Sequence, residues 1–231
     1  MATDEKLLQE MFENAVHVGH RTQKWNPKMK KYLYGELSGL HVIDLAKTLD
    51  CFNNALTFMS KTISEGKTVL FVSTKPQSVK LLEELATQCN MPYVTQKWIP
   101  GLLTNFATVK RRIKYLADLK EQEATGEFEK YTKKEASSLK KTIDKLQTSL
   151  GGVQELKKKP EAVFVVDVVR DKIVVKEANK LKIPLVALID SNSDPSNVDY
   201  PIPANDDAMK SLRYLLGKIG EVLKKKPSKT K

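Results

Sequence analysis

Four side chains in this sequence have the types and spacing that a divalent cation needs. His17 and His20 are three positions apart, which puts both on one face of a predicted helix, and Asp190 and Asp206 follow apolar segments near the other end of the chain. Imidazole and carboxylate together suit Zn²⁺, whereas carboxylates alone suit Mg²⁺. The four residues are therefore candidate ligands of one Zn²⁺ or Mg²⁺ ion, although the pattern does not require a cofactor.

Aspartates at strand ends also raise the alternative of an enzyme. Asp167 and Asp190 both end apolar strands, and doubly wound enzymes place acids at the carboxyl edge of the sheet. A nucleotide- or metal-binding α/β enzyme is thus the alternative function. No nucleophile, general base or general acid accompanies these aspartates, and Asn205 followed by Asp206 is typical of a helix N-terminus. The sequence therefore favours turn and capping roles over catalysis.

Basic residues are distributed unevenly along the chain. There are 39 Lys and Arg against 28 Asp and Glu, a net charge of +11, yet no acid occurs in 14–35 or in 85–117. Cations without carboxylates, interleaved with aromatic rings, suit phosphate neutralisation and base stacking. The candidate RNA-binding residues are Arg21, Lys24, Trp25, Asn26, Lys28, Lys30, Lys31, Lys97, Asn105, Lys110, Arg111, Arg112 and Lys114. The alternative for the basic segments is that their cations only solvate an exposed face, and the alternative for Trp25 is that it packs as an anchor. For His17 and His20, the alternative to metal binding is that they contact RNA or only form hydrogen bonds.

Short apolar segments separated by helical periodicities predict the fold. Segments 41–45, 69–73, 162–167 and 185–190 are apolar on both faces and rich in β-branched residues, as buried parallel strands are. Segment 93–98 is a more polar candidate near an edge. Apolar residues at helical spacing lie between most of these segments. The alternation of strand and helix predicts a doubly wound parallel α/β sheet.

The stretch 106–152 has no strand signal. Apolar residues at helical spacing precede and follow Thr125, and Thr132 with Glu135 forms a capping-box pattern at the start of the second helix. An inserted antiparallel helical hairpin accounts for both features. Its acidic positions suit contact with protein better than contact with phosphate, and they are Glu121, Glu123, Glu127 and Glu129.

Composition excludes several other classes of protein. Hydrophobic residues make up 41% of the 231 residues, enough to bury a core. No segment approaches the roughly 18 uncharged apolar residues of a membrane helix, so no membrane partner is expected. Cys51 and Cys89 are too few for a disulfide scaffold, which indicates a reducing, cytosol-like compartment.

Seven motifs together carry a family resemblance. They are VHVGH (16–20), WNPKM (25–29), KWIPGLLTN (97–105), TKKEA (132–136), SLGG (149–152), IDSNSDP (189–195) and IPANDDA (202–208). In this order they closely resemble the universal ribosomal protein S-two family in its bacterial or organellar form, over about residues 10–222. The lysine-rich end of this chain differs from the acidic extension of many bacterial members.

The resemblance implies a non-enzymatic protein of the small ribosomal subunit, bound to ribosomal RNA on the solvent side between head and body. It implies a flavodoxin-like domain that carries the helical hairpin, and other small-subunit proteins as partners. For bacterial members it also implies docking of the large mRNA-binding protein of that subunit. No small-molecule substrate is expected, and the expected location is a cytoplasmic ribosome, with an organellar one as the alternative.

These interpretations divide the chain into four parts. Residues 1–40 are expected to form an N-terminal helix and a basic, RNA-facing segment. The α/β domain is expected over 41–105 and 153–223. The hairpin insertion is expected over 106–152, and 224–231 form a basic tail.

Overall fold

The structure is a computed structural model that describes residues 2–224. Its helices are α1 (Ala2–Glu13), α2 (Leu45–Ser64), α3 (Pro76–Gln88), α4 (Phe106–Ala124), α5 (Lys133–Leu150), α6 (Lys172–Lys180) and α7 (Met209–Lys224). Its strands are β1 (Val18–Arg21), β2 (Leu33–Leu37), β3 (Leu40–Ile43), β4 (Val69–Val72), β5 (Tyr93–Val94), β6 (Ala162–Val165), β7 (Leu185–Ile189) and β8 (Tyr200–Pro203). Beyond Lys224, the predicted basic tail lies outside the described residues. None of the helices in this range is long and apolar enough to cross a bilayer.

Five parallel strands form the main sheet in the order β5-β4-β6-β7-β8. In chain order this is 2-1-3-4-5, the flavodoxin-like arrangement. The predicted doubly wound α/β fold is therefore confirmed. The strand order reverses between β4 and β6, and this topological switch point is where such folds usually bind ligands at the carboxyl edge.

Both faces of the main sheet are covered by apolar side chains. In β4, Val69 and Phe71 belong to a buried cluster with residues of α2, α3 and α7, which we call the α2-side cluster. Leu70 and Val72 belong to a second cluster with residues of α4, α5 and α6, which we call the α4-side cluster. Successive side chains of a strand point to opposite faces, so a strand covered on both sides is apolar at every position.

The prediction that segment 41–45 is a parallel strand of the main sheet is wrong. β3 lies between β1 and β2 in a separate three-stranded antiparallel sheet. Ser38 and Gly39, between β2 and β3, both have positive φ, at 52° and 77°. Two consecutive residues with positive φ form the tight turn of a β-hairpin, so this connection pairs β3 with β2. The small sheet thus spans the predicted boundary at residue 41.

Strand β8 was not predicted from the sequence. It contains Pro201 and Pro203, and proline cannot donate a hydrogen bond to a neighbouring strand. Within residues 2–224, β8 is the last strand of the sheet and pairs only with β7. An edge position tolerates proline because one side of the strand has no partner strand.

Two helices occupy the stretch 106–152. α4 and α5 pack against each other, and Lys140 Nζ lies 3.7 Å from Glu123 Oε1 between them. The predicted capping box is present, because the Thr132 hydroxyl accepts from the Glu135 amide and the Glu135 carboxylate accepts from the Thr132 amide. α5 ends at Leu150, and a short 3-10 turn follows.

Close packing at Gly152 leads to a first prediction. A Cβ atom there would collide with the Tyr93 carbonyl oxygen and come within 2.6 Å of the Tyr93 ring. Gly152→Ala is therefore expected to lower the free energy of unfolding by about 1–3 kcal/mol, measured by denaturant titration. In α7, a methyl group added at Gly217 would meet no atom of a neighbouring element within 4 Å in the described part of the chain. Gly217→Ala is therefore expected to stabilise by about 0.5–1 kcal/mol. Equal effects of the two changes would contradict the steric argument.

Candidate nucleic-acid interface

The first basic segment, 21–31, is attached to the carboxyl edge of the main sheet. The Asn26 amide donates to the carbonyl oxygen of Ser191, which follows β7, at 2.8 Å. The His20 amide donates to Ser191 Oγ at 2.8 Å. The Asn26 side chain accepts from the Lys28 amide at 3.0 Å and begins the 3-10 turn Pro27–Tyr32. These contacts fix the backbone from which the cations project.

Side chains of this segment differ in how accessible they are. The exposed ones are Arg21, Lys24, Lys28, Lys30 and Lys31, whereas Trp25 and Asn26 are half-buried. The Trp25 ring packs on His41 with a centroid distance of 5.0 Å, so part of its surface is used in packing. Lys28 Nζ lies 2.7 Å from Asp194 Oδ2 on the surface. The most accessible groups of the segment are therefore its cations.

The second basic segment, 97–114, begins in the connection after β5 and continues into α4. All six of its candidate residues are exposed, and they are Lys97, Asn105, Lys110, Arg111, Arg112 and Lys114. Arg111 Nη2 donates to Thr108 Oγ1 at 3.2 Å. Asn105 is the N-cap residue of α4, but its side chain forms no capping hydrogen bond. Its amide group is thus available to a partner.

Glu177 of α6 holds the connection between β5 and α4 in place. Its buried carboxylate accepts five hydrogen bonds, from Trp98 Nε1 (3.0 Å), Gly101 N (2.7 Å), Leu103 N (3.1 Å), Thr104 N (3.0 Å) and Thr104 Oγ1 (3.0 Å). Burial raises the pKa of Glu177, but the hydrogen bonds from the connection outweigh burial and hold the pKa below its ordinary value. Sequence reasoning missed this residue. The sequence feature that could have identified Glu177 is its position next to the apolar residues Val174, Val175 and Ala178, on the face of α6 that is predicted to be buried.

The two basic segments pack onto the same face of the main sheet. Met29 of the first segment is completely buried and belongs to the α4-side cluster. The same cluster contains Trp98, Leu102 and Val109 of the second segment. Both segments also lie at or begin from the carboxyl edge. The fold therefore packs two distant parts of the sequence, each of which carries exposed cations, onto one face of the main sheet.

Carboxylates at the carboxyl edge surround the buried side chain of Lys75. Its Nζ lies 2.6 Å from Asp206 Oδ1, 2.5 Å from Asp207 Oδ1 and 3.4 Å from Asp167 Oδ2. Burial lowers the pKa of Lys75, but the attraction of Asp206, Asp207 and Asp167 outweighs it, so the pKa lies above its ordinary value. Burial, together with Asp190 and Asp167, raises the pKa of Asp206 to about 7. The ammonium group thus supplies the positive charge that these carboxylates need.

Three of the four candidate metal ligands meet near this lysine. His20 Nδ1 lies 3.1 Å from Asp190 Oδ1, and the Asp206 amide donates to Asp190 Oδ2 at 3.4 Å. The hydrogen bond to Asp190 raises the pKa of His20 despite partial burial. The Asn205 side chain accepts from the amides of residues 207 and 208. These bonds form a turn before the helix, because α7 begins only at Met209, so the interpretation of Asn205 followed by Asp206 as the helix N-terminus is wrong.

His17 does not join this group, so the predicted four-ligand set is not assembled. Its ring stacks on Phe12 at a centroid distance of 4.4 Å. The expectation that His17 and His20 share a helical face is wrong. α1 ends at Glu13, Ala15 has a φ of 56°, and His20 lies in β1. Within residues 2–224, no group of three or more His, Cys, Asp or Glu side chains is arranged to hold a metal ion.

Two segments that carry exposed cations and contain no acidic residue are typical of a nucleic-acid-associated protein. Comparison with known proteins agrees with this class. The Ribosomal protein S2 family matches residues 11–225. The chain is 44% identical over 216 residues to the small ribosomal subunit protein uS2 of Campylobacter concisus (strain 13826), which covers 94% of this chain and 82% of that protein.

Two further relatives have the same name. The chain is 44% identical to the uS2 protein of Dictyoglomus thermophilum over 217 aligned residues, and these make up 94% of this chain and 88% of that protein. It is 46% identical to the uS2 protein of Koribacter versatilis over 214 aligned residues, and these make up 93% of this chain and 71% of that protein. The chain belongs to the ribosomal protein S2 family and is a structural component of the small ribosomal subunit. The alternative of a nucleotide- or metal-binding enzyme is therefore wrong.

Proposed function

We propose that this protein binds the ribosomal RNA of the small subunit through the surface formed by its two basic segments. The observation that carries this proposal is that Met29 and Trp98 belong to one buried cluster, which puts both segments on one face of the main sheet. Lysine and arginine side chains neutralise phosphates and release counterions, which gives affinity with little sequence readout. The parallel sheet acts as a rigid scaffold for these cations, and no cofactor is required.

The proposal includes protein partners on the surface of α4 and the turn that follows it. Glu121, Glu123 and Glu129 are exposed there, and Glu127 is partly exposed. A cluster of carboxylates repels phosphate, so this surface is suited to other small-subunit proteins. We assign to it the docking of the large mRNA-binding protein of the small subunit. The expected location is the cytoplasmic ribosome, and an organellar ribosome is the alternative.

The salt dependence of binding gives a second prediction. Replacement of Arg111, Arg112 and Lys114 by alanine is expected to weaken co-sedimentation with small subunits on a low-salt gradient. The slope of log affinity against log salt concentration is expected to become shallower by about 0.7–0.9 for each phosphate that is no longer neutralised, because fewer counterions are released. The measurement is a titration of the full chain with small-subunit ribosomal RNA at several salt concentrations.

A charge-matched control distinguishes this surface from general basicity. Lys134, Lys141 and Lys145 are exposed on α5, and their replacement by alanine removes the same net charge. This variant is expected to keep a slope near that of the unmodified protein. An unchanged slope for the α4 variant would exclude the assigned residues from the interface. An equal change for the α5 variant would show that general basicity, and not this surface, determines the slope.

A further inference from the structure

Arg170 lies at the topological switch point of the main sheet. It follows the carboxyl end of β6, and Thr74 follows the carboxyl end of the neighbouring strand β4. In the sheet, β4 and β6 lie between β5 and β7. The chain leads from β5 into the second basic segment, and the loop after β7 holds the first basic segment. Arg170 therefore lies between the two segments, at the position where doubly wound folds usually bind ligands.

Both the backbone and the side chain of Arg170 are fixed. Asp167 Oδ1 accepts hydrogen bonds from the amides of Val169 and Arg170, each at 2.9 Å. Arg170 Nε donates to Thr74 Oγ1 at 3.1 Å. The Thr74 hydroxyl in turn donates to the buried carboxylate of Asp171 at 2.9 Å, which leaves its oxygen free to accept from Arg170. The guanidinium plane is thus set by a chain of hydrogen bonds that ends on a buried group.

The outer edge of this guanidinium is available. Arg170 is exposed, and within residues 2–224 its Nη1 and Nη2 groups have no hydrogen-bond or ion-pair partner. Two parallel N–H donors match the oxygens of a phosphate in a bidentate contact. We propose that Arg170 is a pre-oriented anchor for a phosphate of the RNA backbone between the two basic segments, an inference that rests on the proposed RNA-binding function.

Local charge supports this role. Of the nearby carboxylates, Asp167 accepts from backbone amides and lies beside Lys75, and Asp171 accepts from the Thr74 amide and hydroxyl. Asp207 is exposed at the same edge. Its carboxylate is paired with Lys75 Nζ at 2.5 Å. These three carboxylates are thus already engaged with donors or a cation, and the free Nη1 and Nη2 donors of Arg170 give a phosphate a cationic group at this edge.

The test uses the full chain and a transcript of bacterial small-subunit ribosomal RNA. Arg170→Ala is expected to weaken binding about tenfold near physiological salt and to reduce the salt slope by about 0.7–0.9, because one phosphate is left without its charge-assisted hydrogen bonds. Thr74→Val keeps the charge but removes the acceptor that orients it, so affinity is expected to fall while the salt slope stays the same. Thr74→Ser keeps the hydroxyl and is expected to restore affinity.

Lys172 provides the matched control. It is an exposed cation two residues further along, at the start of α6, and no side-chain contact orients it within the described residues. Lys172→Ala is expected to change affinity less than twofold. The inference is overturned if Arg170→Ala binds like the unmodified protein while the α4 triple variant binds weakly, or if Lys172→Ala loses as much as Arg170→Ala. Failure of the unmodified chain to bind RNA at low salt would instead overturn the proposed function itself.

Discussion

Glu177→Ala is expected to lower the free energy of unfolding by about 3–5 kcal/mol and to weaken binding to ribosomal RNA. The substitution removes the acceptor of five hydrogen bonds. It leaves donors of Trp98 and Leu103, which are buried, and of Gly101 and Thr104 without this partner. The connection that these donors belong to carries Lys97 and Asn105 and leads into α4. Its loosening is therefore expected to disorder the second basic segment. Denaturant titration and RNA binding measure the two effects.

Variants and pH make this prediction specific. Glu177→Gln keeps the size but turns an NH₂ group toward N–H donors, so it is expected to be nearly as destabilising.

The pKa of Glu177 is held below the ordinary value of 4.5. The stability it contributes is therefore present above about pH 4.5 and is lost as pH falls through the folded-state pKa. Glu221→Ala, an exposed acid on α7, is expected to change stability by less than about 0.5 kcal/mol. A Glu177→Ala protein as stable as this control would refute the positioning role.

Lys75→Met is expected to destabilise the protein by about 3–5 kcal/mol at neutral pH, because it leaves the buried carboxyl of Asp206, and the less buried Asp167 and Asp207, without their cation. Lys75 Nζ is within 3.4 Å of Asp167, Asp206 and Asp207, and Asp206 is almost fully buried. Methionine fills a similar volume, so the change mainly removes charge. Denaturant titration at several pH values measures the loss.

The effect of Lys75→Met is expected to depend on pH with a definite sign. Without the ammonium group, the folded-state pKa of the neighbouring carboxyls rises further, and that of Asp206 is already about 7. A carboxyl whose pKa is raised by folding contributes stability at low pH that is lost as pH rises through the folded-state pKa. The loss should thus be smallest near pH 5 and largest above pH 7. Lys80→Met, on the exposed surface of α3, makes the same charge change without this dependence. A pH-independent loss at Lys75 would contradict the electrostatic explanation.

Prediction of the fold from the sequence succeeded where the local pattern determines the structure. The residues that form β4, β6 and β7 are apolar at every position, as a strand covered on both faces requires. Segment 41–45 has a similar pattern, yet its strand belongs to the small sheet, because the choice of partner depends on the turn at 38–39. β8 was missed because its two prolines lower strand propensity, a penalty that an edge position avoids.

Prediction of the candidate site was limited in a similar way. The exposed cations were identified because the segments that carry them contain no Asp or Glu, which is visible in the sequence itself. Glu177 and Lys75 were not identified, because buried charges are recognised only by their partners. The Trp98 donor lies 79 residues from Glu177, and Asp206 lies 131 residues from Lys75. Local periodicity does not report such contacts.

The attachment of β1 to the loop after β7 has a consequence for biosynthesis. His20 bonds to Ser191, 171 residues away, and the Asn205 amide bonds to the Val16 carbonyl. A nascent chain exposes its first cationic stretch early, but the anchors for that stretch are made only after residues 191–205 have been synthesised. Until then this stretch lacks its native partners. Folding of this N-terminal region is therefore coupled to synthesis of the distant segment that follows β7.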